Sequence, residues 1–163
     1  TEMTVIVDVF LTPLRNWSRE EELTRSRDEK YDSNSKSKVP FLTNDDINYI
    51  FSNLEQILSF NKSLLKDLED ALERDGPKGV VEEFLKAAPY MRMFSVYVKN
   101  FDKSTQTLEN VRSKHAINSF IRACELQKVC HQLNLSSYLI MPVQRVPRYR
   151  LLMETILKYT STD

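Results

Sequence analysis

Glycine is almost missing from this chain, which has two glycines, six prolines and one tryptophan in 163 residues. So little glycine suits helices joined by few tight turns. It also leaves no glycine-rich cradle for phosphates, so the chain is not expected to bind nucleotide itself. An excess of either charge is missing too: 23 Lys and Arg balance 23 Asp and Glu. That balance offers no electrostatic footprint for nucleic acid or an acidic membrane. Two cysteines, Cys124 and Cys130, are too few for a disulfide framework, and their spacing with His131 matches no established zinc site. No metal and no cofactor are expected, and neither histidine stands in a hydrolase signature. No apolar run is long enough to span a bilayer and no secretory leader is visible, so the expected location is cytoplasmic.

What the chain does have is apolar residues at helical spacing. At this length one core, and hence one domain over residues 1–163, is the expectation. Val5 to Leu14 reads as the end of a first helix that stops near Pro13. Residues 16–40 are polar and charged, and a mobile segment is expected there. Within it Ser18 and Glu21 could form a capping box, Asp32 to Lys38 has the composition of a loop, and Trp17 is expected to fold back onto the first helix.

Thr43 should cap the most regular helix, with Asp45 and Asp46 in its first turn. Its apolar rhythm runs from Ile47 through Leu72 to about Arg74, where Gly76-Pro77 should end it. Some thirty residues at 1.5 Å each give a rod of about 45 Å. A rod of that length in a chain of this size predicts an all-α, elongated bundle of long helices. Further helices are expected over Val80 to Ala88, from Tyr90 past Pro89 through Phe101, and over Ser104 to Arg112 and His115 to Leu133. No segment alternates at the period of a strand.

The most informative stretch is Ser136 to Leu152. It reads as one long helix holding Pro142, Pro147, Arg145, Arg148 and Arg150, and an interior proline costs roughly 3 kcal/mol. At about 100° per residue, Leu139, Pro142, Val146, Tyr149, Met153, Ile156 and Leu157 form an apolar stripe. Ser137, Met141, Gln144, Arg148, Leu151 and Thr155 fall opposite, with Gln144 and Arg148 as i,i+4 neighbours. An arginine and an amide beside Ile140, Leu151 and Leu152 make a protein-binding patch, or else simply the solvated back of a core helix. RNA stacking on Tyr149 and the arginines is disfavoured by the neutral balance and the lack of a sheet platform.

The segments Tyr138-Leu139-Ile140, Pro142-Val143-Gln144-Arg145-Val146-Pro147-Arg148-Tyr149, Leu151-Leu152 and Leu157-Lys158-Tyr159-Thr160 resemble the third signature region of the Dbl-homology domain. That domain is the exchange-factor module for Rho-family GTPases. Ile50 to Leu58 with Phe60-Asn61 is similar to the family's second region, and Tyr97-Val98-Lys99-Asn100-Phe101 to a later one. Together these cover most of residues 42–160 in the family's order. The family's first region runs from a Thr-Glu pair to a Pro-Leu, here Thr1-Glu2 and Pro13-Leu14, some two helical turns closer than usual. Either Glu2 is the family's switch-contacting glutamate with a deletion behind it, or that glutamate lies upstream. The family also continues past Thr160 into another long helix. The module therefore reads as Dbl-homology-like and shortened at both ends.

The resemblance implies a guanine nucleotide exchange factor that binds a Rho-family small GTPase, distorts its switch regions and promotes GDP release, without bond chemistry of its own. Gln144 and Arg148 would face the second switch, Glu2 the first, and Leu151 and Leu152 would seat apolar side chains. The alternative is a non-catalytic or autoinhibited helical scaffold of the same family. A shortened bundle would also expose a groove through which two copies could share or exchange helices. No nucleic acid and no membrane insertion are implied, and other domains would carry the module to a membrane.

Overall fold

The computed structural model describes residues 2–31 and 42–159, and among them there is no strand. Helix α1 (Glu2–Val5) runs through a π-helical stretch, Ile6–Leu11, directly into α2 (Thr12–Tyr31). The first helix therefore does not stop at Pro13, contrary to the expectation from sequence. A proline ring clashes with the carbonyl four residues back. The wider turn just before Pro13, with the Thr12 amide bonded to the Val7 carbonyl five residues earlier, makes room for it. Residues 16–31 of the segment expected to be mobile are helical, whereas the expected loop Asp32 to Lys38 lies outside the described residues.

Two details of α2 also differ from expectation. Ser18 caps nothing: it is buried, and its hydroxyl donates to the Leu42 carbonyl at 2.6 Å. Trp17 does not fold back on the first helix. It stacks on Phe120 with ring centroids 4.9 Å apart and planes 6° from parallel.

Thr43 opens α3 (Asn44–Phe51) with a complete capping box. The Asp46 amide donates to the Thr43 hydroxyl at 3.0 Å, and the Thr43 amide to the Asp46 carboxylate at 3.1 Å. The expected thirty-residue rod is interrupted at Ser52, whose φ of 49° and ψ of −133° leave the helical region. Helix α4 (Leu54–Ala87) restarts the pattern and holds a second break at Gly76, with φ 64° and ψ −152°, just before Pro77. The glycine takes a backbone conformation that a Cβ would strain. Gly79 follows in a tight approach, where an added Cβ would stand 2.7 Å from the Ala71 carbonyl oxygen.

A 3-10 turn, Ala88–Met91, leads from Pro89 into α5 (Arg92–Arg112), which is unbroken through Ser104. Then come α6 (His115–Glu125), a 3-10 turn at Lys128–Cys130, α7 (Leu135–Leu139) and α8 (Met141–Tyr159). The predicted helix from His115 to Leu133 thus ends at Glu125, and Cys124 and Cys130 are not on one helix.

The chain divides into two compact units. One comprises Thr1–Ser52 and Asn100–Leu139. Its buried side chains include Ile6, Phe10, Leu14, Ile47, Ile50, Phe51, Ile117, Ile121 and Tyr138. Polar groups lock its helices at fixed points: Ser104 donates to the Ile50 carbonyl at 2.5 Å, and Asn100 to the Tyr49 carbonyl at 2.7 Å. The strongest lock is the Arg112 guanidinium, which donates to both Glu125 carboxylate oxygens at 2.8 and 3.3 Å and to Asn118 at 3.2 Å. Glu125 also accepts the Leu135 amide at 3.0 Å, at the start of α7.

Both side chains of this pair are largely shielded, at 25% and 14% exposure. Removing one partner strands the other's charge away from water. Arg112→Ala is expected to cost about 2 kcal/mol, discounted for partial exposure, and to lower the melting temperature by about 4–8 °C. Thermal denaturation followed by circular dichroism checks this. Arg112→Lys should recover only part of the loss, because an ammonium cannot fork.

The second unit comprises Asn53–Lys99 and Ile140–Asp163. Leu54, Ile57, Leu64, Ala71, Phe84 and Phe94 are buried in it, and the Asn53 amide donates to the Met93 carbonyl at 3.0 Å.

Candidate functional site

The segment read from sequence as one helix with two costly prolines is two helices, α7 and α8, parted at Ile140. Pro142 lies in the first turn of α8, where its amide would have no helical partner to lose. The next backbone bond, Gln144 N–H to the Ile140 carbonyl at 3.1 Å, forms normally. Only Pro147 is interior; it stands at an exposed position and leaves the Val143 carbonyl without its helical N–H donor.

Tyr149 sets which way α8 faces. Its ring meets Phe84 edge-on at 5.7 Å and 65°, and Phe94 at 6.4 Å and 84°. Phe94 in turn meets Phe60 at 6.2 Å and 80°. Such edge contacts add about 0.5–1.5 kcal/mol each beyond burial. The Tyr149 hydroxyl donates to the Asn61 side-chain oxygen, while the Asn61 amide nitrogen donates to the Ile57 carbonyl at 2.7 Å. Arg145 Nε donates to the same hydroxyl at 3.2 Å, and its guanidinium lies 5.6 Å from the Tyr149 ring centroid.

With Tyr149 half-buried and Pro142 buried, Gln144, Arg148, Leu151 and Leu152 are exposed, Leu151 at 60% and Leu152 at 46%. The apolar stripe is narrower than the sequence suggested. Val146 and Leu157, placed on it by periodicity, are exposed at 39% and 73% because the buried side is centred on Tyr149, with Arg145 beside it.

The three arginines are not equivalent. Arg145 is held by Tyr149, and Arg150 pairs with Glu154 at 2.7 Å one turn on. Among the described residues, Arg148 has no hydrogen-bond or ion-pair partner for its side chain, and neither does Gln144. This leaves a free planar fork and a free amide one turn apart, flanked by two exposed leucines. Such a set can bind a carboxylate or backbone carbonyl while covering apolar side chains.

Glu2, the remaining candidate, lies in the other unit, where it is exposed in α1 beside the buried Met3. The Tyr138 phenol there is pushed up, chiefly by burial and then by the charges of Cys130 and Glu2. Its hydroxyl donates to the Cys130 carbonyl at 3.0 Å. Both cysteines are free and buried. Burial pushes their thiols up, so the reactive thiolate is scarce. Sequence reading missed Asn61 as a partner of the site. Its signals in the sequence are the Phe60-Asn61 pair of the second-region resemblance and its place inside a helix, where asparagine is disfavoured unless its side chain finds a bond.

A RhoGEF domain family model matches residues 1–163. Over 119 residues the chain is 36% identical to the human "FYVE, RhoGEF and PH domain-containing protein 6", covering 72% of this chain and 8% of that protein. Over 123 residues it is 39% identical to "Rac guanine nucleotide exchange factor JJ" of Dictyostelium discoideum, covering 73% of this chain and 10% of that protein. The chain thus spans about a tenth of the length of these relatives. In fold it is similar to the Vav1 exchange factor, with a TM-score of 0.79 at 22% identity over 99% of this chain and 38% of that one. An autoinhibited Dbl homology domain is also similar, with a TM-score of 0.67 at 25% identity over 92% of this chain and 73% of that one. With its all-α fold and a family match from first residue to last, the chain belongs to the RhoGEF, or Dbl-homology, family.

Proposed function

We propose that the chain is a guanine nucleotide exchange module that binds a Rho-family small GTPase, distorts its switch regions and promotes GDP release. The observation carrying this reading is the outward face of α8, where Arg148 and Gln144 stand unpaired beside Leu151 and Leu152. Arg148 donates charge-assisted hydrogen bonds to the second switch, and Gln144 fixes its backbone. The two leucines cover the apolar side chains that the shifted switch exposes. Glu2 engages the first switch.

The module regulates a GTPase and breaks no bond. Its interactions are worth more with the nucleotide site distorted than with it intact, so they are set against nucleotide affinity. The coupling is reciprocal: incoming GTP expels the module and completes the cycle. Each tenfold loss of nucleotide affinity needs about 1.4 kcal/mol of coupling, which a patch with a few hot spots supplies.

No helix of the described residues is long and apolar enough to cross a membrane. The relatives' names join RhoGEF to FYVE and PH domains. Neighbouring domains of that kind would carry the module from the cytoplasm to membrane surfaces.

Release of a fluorescent guanine nucleotide from a panel of Rho-type GTPases tests this. Faster release from at least one of them supports the proposal. Binding without release would instead fit the non-catalytic scaffold, and neither effect would leave α8 a merely solvated helix.

A further inference from the structure

The connection between α6 and α7, residues 126–134, encloses a groove of about 860 Å3. Arg122, Lys128 and His131 line it, together with Leu126 and Leu133. Its one acid, Glu125, has its carboxylate taken up by Arg112 and by the Leu135 amide. Among the described residues the side chains of Arg122 and Lys128 have no anionic partner. The groove is therefore cationic in a chain whose overall charge is zero.

It is also apolar where exposure is least comfortable: Leu126 is 85% exposed and Leu133 38%. This is not a frayed loop. The Gln127 amide donates to the Cys124 carbonyl at 3.1 Å, Cys130 to Gln127 at 2.9 Å and Leu133 to Cys130 at 2.8 Å. The buried Cys130 thiol donates to the Cys124 carbonyl at 3.3 Å, and Tyr138 donates to the Cys130 carbonyl. The turn thus holds Leu126 out in water.

His131 and Gln132 lie at φ 47° and 64°, in the left-handed region where glycine would sit without strain. Two successive side chains are kept there at a cost, and both line the groove. Strain of this kind collects where side chains are needed for binding.

We propose that this groove docks an acidic, leucine-bearing peptide segment of a partner protein. Arg122 and Lys128 pair with its carboxylates, Gln127 and Gln132 bond its backbone, and its apolar side chain covers Leu126 and Leu133. A concave surface lined with amides suits a peptide better than a flat anionic lipid surface. All of its residues lie in the first unit and the α8 face lies in the second, so the inference is independent of the proposed exchange activity.

The test is fluorescence anisotropy with a labelled peptide of sequence Glu-Asp-Leu-Glu-Glu-Leu-Asp-Glu. Saturable binding is expected, weakened at least tenfold when the acids become glutamines and weakened by added salt. Arg122→Glu with Lys128→Glu should also weaken it at least tenfold, and Leu126→Ser about fivefold. Circular dichroism reports whether these surface variants fold. If the double variant does not, the glutamine peptide on the parent protein decides the charge question alone. No binding, binding undiminished by loss of the acids, or binding only to phosphatidylserine vesicles would overturn the proposal.

Discussion

Replacing Arg148 with alanine is expected to slow nucleotide release from a responsive Rho-family GTPase by about 30-fold, with helicity and melting unchanged. That factor corresponds to about 2 kcal/mol, the threshold of a binding hot spot. Arg148 is exposed and has no partner among the described residues, so the fold loses nothing with it. Arg150→Ala is the matched control: it removes the same charge two residues away. Arg150 is 81% exposed and already engaged with Glu154, and release should change by less than about twofold. Gln144→Ala should fall between the two. Stopped-flow release rates beside far-ultraviolet circular dichroism check all three. Equal losses for Arg148 and Arg150 would reduce the effect to nonspecific charge attraction.

Truncating Tyr149 should damage stability and exchange together. Loss of a fully buried aromatic ring costs about 3–5 kcal/mol, so a half-buried one should cost about 2–3 kcal/mol. Tyr149→Ala removes the edge contacts to Phe84 and Phe94 and both hydroxyl bonds, and with them what fixes the rotation of α8. Tyr149→Phe keeps the rings and should cost about 1 kcal/mol, the worth of an ordinary hydrogen bond. Urea denaturation separates the two variants. If phenylalanine proved as damaging as alanine, the hydroxyl network with Asn61 and Arg145, and not ring packing, would be the anchor.

The outward position of Gln144 and Arg148 was legible because i,i+4 spacing survives wherever the helix happens to start. The apolar stripe was legible only in part. Periodicity gave Val146 and Leu157 the same weight as Tyr149, yet only Tyr149 finds two aromatic rings and an amide to meet. The Thr43 cap and the stop at Gly76-Pro77 were readable because their residue types have strong local preferences. The breaks at Ser52 and Ile140 carry no such mark: a serine at positive φ is imposed by its surroundings and not by its own propensity. Pro13 misled in the opposite sense. A π turn absorbed the proline and let α2 continue into a polar sequence with little apolar rhythm.

The proposed exchange requires the outer face of α8 to dock a nucleotide-free GTPase, and cysteine protection probes that contact directly. Both native cysteines are buried, so a Leu151→Cys variant presents one accessible thiol for maleimide labelling. Labelling is predicted to slow at least tenfold when a responsive, nucleotide-free Rho-family GTPase is added, and to recover its speed when GTP is supplied. An unchanged labelling rate in a complex shown to have formed would contradict it.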